Sequence, residues 1–130
     1  MSDNNPQILI EIAAKAKEKA YAPYSEFKVG ASLLTTGGNI YSGCNIENAS
    51  YGLSVCAERV ALFKALSEGE REFLAIAIVG DNKEFCYPCG ACRQVLAEFS
   101  PELEIITGQP EGKIKKHKLS ELLPENFRLK

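Results

Sequence analysis

With 130 residues, 45% hydrophobic and 25% charged, the chain has the size and composition of one soluble domain that buries its own core without staples. Its net charge of −2 gives no electrostatic footprint for nucleic acid or an anionic membrane, and its longest apolar run, Phe73 to Val79, is too short to span a bilayer. The polar start MSDNNPQ lacks a signal-peptide core, so a cytoplasmic address is expected, and five cysteines in a reducing compartment suit metal ligation or catalysis better than disulfides.

Asn5-Pro6 reads as a helix N-cap followed by proline in the first turn, where its missing N–H costs nothing. Ile8, Ile12 and Ala16, with Ala13 and Ala20, predict one apolar face of a helix reaching about Tyr21, broken by Ala22-Pro23-Tyr24-Ser25. Phe27 to Leu34 and Asn39 to Ser42 predict a hairpin turned at Gly37-Gly38. Gly43 to Ser54 has weak periodicity and reads as a long functional loop. Ala57 to Leu66 predicts a helix with Val60, Leu62, Phe63 and Leu66 apolar, closed by Ser67-Glu68-Gly69. Phe73 to Val79 is continuously apolar, the mark of a central strand buried on both faces. Gly90 to Phe99 is helical and stops at Ser100-Pro101. Leu103 to Thr107 and Lys113 to Leu119 read as strands, and Ser120 as the cap of a short helix ended by Pro124. The expected fold is α/β, a three-layer α-β-α arrangement around a mixed five-stranded sheet, in a single domain over residues 1–130.

Pro88-Cys89-Gly90-Ala91-Cys92 stands where the buried strand has ended and a helix begins. Free N–H groups and the positive dipole end of such a first turn stabilise thiolates. Cys56-Ala57-Glu58 opens the other core helix in the same way. Two helices side by side on one sheet face would gather Cys56, Cys89 and Cys92, leaving a tetrahedral zinc one open position, as in a catalytic site. The cysteines alone suit equally a closed four-thiolate zinc site that adds Cys86, an iron–sulfur cluster, or a dithiol redox pair. Glu58 shifts the balance towards hydrolysis, because a carboxylate two residues after a ligand is placed to shuttle protons at the open face. Its bland alternative is a solvated first-turn acid that complements the helix dipole.

SVCAERVALFKAL and PCGACRQVLAEF together resemble the C-A-E and P-C-x-x-C signature of the cytidine deaminase family. Tyr24-Ser25-x-Phe27-x-Val29-Gly30-Ala31 and the segment GCNIENASY, Gly43 to Tyr51, are similar to the nucleoside-binding segments of its small, all-cysteine members. LLPENF resembles their C-terminal LLPxxF, so the likeness runs in order from about residue 7 to residue 127. It implies one zinc ion per chain on Cys56, Cys89 and Cys92, with Cys86 and Cys44 left as small buried fillers. It also implies a homotetramer whose sites are shared between subunits, with no nucleic-acid or membrane partner. The implied reaction is hydrolytic deamination of cytidine and deoxycytidine to uridine and deoxyuridine, with release of ammonia, in pyrimidine salvage.

In that reading Glu58 carries the water's proton to ring N3 and then to the leaving amino group. Arg59 hydrogen-bonds the thiolates and draws off charge that would otherwise make the water less acidic, where a surface salt bridge is its ordinary alternative. Residues matching Asn45 and Glu47 bind the ribose 3′-hydroxyl, and the one matching Phe27 packs on the pyrimidine. Taken alone, the first two would pass for solvated loop residues and Phe27 for core. Those matching Ala49, Tyr51 and Phe127 reach a neighbouring subunit's sugar, and Ala57 joins the substrate-binding set. The sequence ends soon after Phe127, which predicts a shorter C-terminal lid than the family's.

Three other readings compete. A sister deaminase for another base, or for an aminoacylated nucleoside antibiotic such as blasticidin S, shares the zinc motif, but Asn45 to Tyr51 favours a plain ribonucleoside. Polynucleotide deamination needs basic, aromatic-lined strand contacts, whereas Lys113, Lys115, Lys116 and Lys118 cluster on an expected edge strand, where lysines block edge-to-edge pairing. A zinc-stapled binding module without activity belongs to a different class, and an ultraviolet assay on cytidine separates it from an enzyme.

Overall fold

The computed structural model describes residues 5–82 and 85–129. Asn5 caps the first helix as expected, its side-chain oxygen accepting from the Gln7 and Ile8 amides at 3.0 and 3.3 Å. That helix, α1 (Pro6–Lys17), ends a turn earlier than its sequence predicts. The Tyr21 backbone is claimed by the loop instead, its amide donating to Asn45 O at 3.0 Å and its carbonyl accepting from Glu47 N at 2.9 Å.

The hairpin follows as β1 (Val29–Thr35) and β2 (Ile40–Cys44), then a single 3₁₀ turn (Tyr51–Leu53) and α2 (Ala57–Ser67). Next come β3 (Phe73–Gly80), α3 (Gly90–Phe99), β4 (Glu104–Gly108), β5 (Ile114–Lys118) and α4 (Leu119–Leu122). The expected cap of α4 was Ser120; the N-cap is Lys118, because β5 runs into the helix without a loop. The Lys118 amide is met by Glu121 Oε1 at 2.7 Å, while Ser120 Oγ donates to Glu102 at 3.0 Å.

The strands form one mixed sheet in the order β2-β1-β3-β4-β5. Only β3 and β4 are parallel, and α3 makes the crossover between them. The apolar run of β3 lies at the centre, as predicted, and its alternate residues face two separate cores. Ala75, Ala77 and Val79 pack with Leu9, Ile10 and Ala13 of α1, and Ile76 and Ile78 pack with Ala61, Leu62 and Ala65 of α2 and with Leu96 of α3. These are the three expected layers. No helix among the described residues is long and apolar enough to cross a membrane.

Both helical faces depart in part from the periodicity reading, which holds for the buried Ala13 and Leu62. On α1 the buried residues are Leu9, Ile10 and Ala13, while Ile8 is 49% exposed and Ile12 and Ala16 are half-buried. On α2 they are Ala57, Glu58, Ala61, Leu62 and Ala65, with Phe63 47% exposed. Close approach of backbones explains the shift. A Cβ at Gly30 would lie 2.0 Å from Ala13 O, and one at Gly43 would lie 2.7 Å from Ala61 N and 2.8 Å from Ala57 O. Glycines on the sheet and alanines on the helices let α1 and α2 sit directly on the two faces, so Ala13, Ala57, Ala61 and Ala65 share the buried sides with Leu9, Ile10 and Leu62.

Candidate metal centre and active site

Cys56 is the N-cap of α2 and Cys89 the N-cap of α3, and neither side chain is spent on capping. The two helices lie side by side on one face, so their N-termini meet. Cys92, one turn into α3, completes the group. The sulfurs of Cys56, Cys89 and Cys92 all lie within 4.8 Å of one another. Cys56 and Cys89 Sγ are 3.8 Å apart, close to the ~3.8 Å edge of a tetrahedron with arms of ~2.3 Å, the zinc–sulfur distance. The donor set and its spacing fit zinc. Cys86 does not join the group, so the described residues supply three thiols and no fourth.

Electrostatics prepare these sulfurs. The Cys92 thiol hydrogen-bonds Cys56, and the Arg59 guanidinium reaches its Sγ from 3.6 Å, which together bring the Cys56 pKa down to about 5 against the cost of burial. Cys92, donating to that thiolate and buried, is raised. The Arg59 pKa rises in return through its bond to Cys56, so the side chain contacts the Cys56 sulfur and is not a free surface charge. Arg93, which follows Cys92, spans Pro88 O and Leu122 O, each at 2.8 Å, and so anchors the segment that leads into Cys89.

Glu58 is only 4% exposed. Burial lifts its carboxyl pKa to about 7, and the neighbouring Cys56 charge adds to the rise. The solvated alternative for this residue is therefore wrong. Cys86 and Cys44, expected as small buried fillers, are half-buried. Burial pushes the Cys86 thiol up to about 11, and Glu58 is near enough to contribute.

Asn45 and Glu47 converge on one loop. Asn45 Nδ2 donates to Phe27 O and its Oδ1 accepts from Val29 N, both at 2.9 Å. Glu47 Oε1 accepts from the Tyr24 and Ser25 amides at 3.0 and 3.1 Å, and Oε2 accepts from Ser25 Oγ. Ser25 lowers the Glu47 pKa more than any other group. Phe27 is exposed, with its ring beside Gly80 and Cys86, and Ala57 is fully buried at the start of α2. Ala49, Tyr51 and Phe127 are exposed, and the chain does not fold them onto its own sulfurs. Tyr51, 74% exposed, meets Tyr24 edge-on at 6.1 Å, and Phe127, 69% exposed, is tied by its carbonyl to Gln94 at 3.1 Å. On β5, Lys115 lies 4.4 Å over the Phe85 ring and Lys116 pairs with Glu104 at 4.0 Å, so these edge lysines are engaged within the chain. Sequence reasoning assigned no role to Ser25 or Arg93, although each lies inside a motif and the hydroxyl and guanidinium were the available signals.

A buried carboxyl beside three thiol ligands, on an α-β-α sheet, defines a zinc deaminase type of site. The sequence profile of the cytidine and deoxycytidylate deaminase zinc-binding region matches residues 3–107, and the chain belongs to that family. It is 55% identical over 122 residues to a cytidine deaminase of Halalkalibacterium halodurans, covering 93% of this chain and 92% of that one. The crystal structure of cytidine deaminase from Burkholderia pseudomallei superposes with a TM-score of 0.88 at 54% identity, over 92% of this chain and 97% of the other. That from Mycobacterium tuberculosis gives 0.85 at 40% identity, over 96% and 98%.

Proposed function

We propose that this protein converts cytidine and deoxycytidine, with water, into uridine and deoxyuridine and ammonia. The observation that carries the reading is the buried Glu58 beside Cys56, Cys89 and Cys92. The names of its relatives support it. Zinc, when bound by those three sulfurs, supplies the Lewis acidity that lets water attack at neutral pH.

The chain's own groups do the rest. The Glu58 carboxylate takes a proton from the attacking water and gives it to cytosine N3, which makes C4 electrophilic. Once the hydroxide has added to C4, the carboxylate takes the proton of the new C4 hydroxyl and delivers it to the exocyclic amino nitrogen; the C4–N bond breaks, ammonia departs and the C4 carbonyl of uracil remains. A carboxyl whose pKa lies near neutrality serves both as base and as acid, and burial supplies that pKa. Arg59 withdraws charge from Cys56, which offsets the surplus negative charge of three thiolates. Phe27 packs on the pyrimidine, Ala57 lines its pocket, and Asn45 and Glu47 meet the ribose from the loop they brace.

Ala49, Tyr51 and Phe127 serve a neighbouring subunit's sugar in a homotetramer. Their exposure within one chain supports this reading, since residues that complete another site have no reason to fold onto their own. Residues 1–130 act as one deaminase domain, working in the cytoplasm in pyrimidine salvage. Loss of cytidine absorbance, followed with and without a zinc chelator, tests the activity. Zinc content is expected to survive Cys86→Ser and to vanish with Cys89→Ser; the reverse pattern would sink the three-ligand assignment.

A further inference from the structure

The segment Tyr24 to Val29 carries Phe27, and each of its amides has a defined partner. Tyr24 and Ser25 N–H go to Glu47 Oε1, Glu26 N–H to Ala22 O at 3.0 Å, Lys28 N–H to Asp81 Oδ2 at 2.8 Å, and Val29 N–H to Asn45 Oδ1. Phe27 N–H is held by the Ser25 hydroxyl oxygen at 3.1 Å. A hydroxyl has one proton to give and lone pairs to receive with. Ser25 Oγ gives its proton to the Glu47 carboxylate, since an ionised acceptor outcompetes the Phe27 carbonyl, which lies 3.5 Å away and already takes Asn45 Nδ2. One oxygen therefore joins the Glu47 carboxylate to the Phe27 backbone.

The residue between them depends on that link. Glu26 has a φ of 57°, the left-handed conformation that a side chain adopts at a cost and keeps only when its surroundings hold it. This turn aims the Phe27 ring at Gly80, where a Cβ would lie 3.0 Å from Phe27 Cζ and 3.0 Å from Cys86 Sγ. The ring's place thus depends on the turn on one side and on the bare Gly80 on the other.

We propose that Ser25 is a positioning residue, whose hydroxyl couples the sugar-facing carboxylate of Glu47 to the base-facing ring of Phe27 so that both are set before a nucleoside arrives. The proposal rests on the roles given above to Glu47 and Phe27. Preorganisation of this kind acts on binding, while the proton transfers belong to Glu58.

The test is steady-state kinetics on cytidine with the zinc-loaded protein, for wild type, Ser25→Ala and Ser25→Thr. Uridine affinity is measured alongside by calorimetry and expressed per folded site. Ser25→Ala is expected to raise KM for cytidine and weaken uridine roughly tenfold, the scale of one lost hydrogen bond to a charged group, with kcat within about twofold. Ser25→Thr, which keeps the hydroxyl, is expected to restore KM. Wild-type KM and uridine affinity in Ser25→Ala overturn the proposal, as does a fall in kcat at unchanged KM that Ser25→Thr shares. A folded, zinc-loaded wild-type protein that leaves cytidine untouched overturns the proposed reaction, and this inference with it.

Discussion

Glu58 is a carboxyl taken out of water, and the Arg59 charge offsets only part of that cost, so its pKa is raised. Glu58→Gln is expected to keep fold and zinc and to lose at least ~10²-fold in turnover, the usual scale for a deleted general acid–base group; near-wild-type kcat would move the proton shuttle elsewhere. The same shift has a thermodynamic counterpart. The folded pKa of about 7 lies above the ordinary 4.5, so the fold favours the protonated acid. Its stabilising share is fully present below about 4.5, and it is lost as pH rises through about 7. In the metal-free protein, Glu58→Gln should therefore gain on wild type across that window. The gain is on the order of 3 kcal/mol, at 1.36 kcal/mol per pKa unit. Cys56, whose lowered pKa makes its own contribution grow with pH and whose charge adds to the Glu58 shift, is present in both proteins. Urea unfolding at about pH 4.5 and pH 7.5 measures it, and a constant difference between the two proteins refutes it.

At the scale of elements, the metal centre is a product of helix placement. Two N-caps that spend no side chain on capping meet because α2 and α3 share one face of the sheet. The height of α2 above that sheet is set where Gly43 lets its backbone in. Gly43→Ala should force the helix outward, destabilise the fold by about 1–3 kcal/mol as overpacking does, and speed zinc release to a chelator by moving Cys56 away from Cys89. Denaturation and metal-transfer kinetics read the two effects, and wild-type behaviour in both would mean that β2 shifts and α2 stays. Much of this layer was legible in advance. Asn5-Pro6, the apolar run of β3 and the Gly90–Phe99 helix follow from local rules that tertiary context did not override. The faces of α1 and α2 were only partly legible, because periodicity weighs large side chains, whereas Gly30 and Gly43 reward small ones.

For the whole molecule, the exposed aromatics carry the argument. Tyr51, Phe63 and Phe127 leave more apolar surface in water than their own chain has use for, which suits the proposed assembly. Phe127→Ala is expected to weaken nucleoside binding with little change in subunit stability, since the residue is 69% exposed within one chain. Mixing dissociated Phe127→Ala subunits with inactive Glu58→Gln subunits should restore affinity in pockets that combine a wild-type residue from each. Full activity in a monomer at assay concentration would defeat shared sites.

By itself the sequence determined the order of elements, the central strand, the capped first helix and the two cysteine-bearing helix starts, because each is written in residues close together along the chain. It also carried the family likeness, through motifs spread in order from Tyr24 to Phe127. The cysteine spacing left three or four sulfurs open and the family likeness implied three; tertiary structure brings those three together among the described residues, and it alone decided that Glu58 is buried and that Asn45 and Glu47 brace a loop through Ser25 and the backbone. Those facts depend on distances between segments far apart in sequence, and on how closely two helices can settle on a sheet. A pattern of residue types records neither.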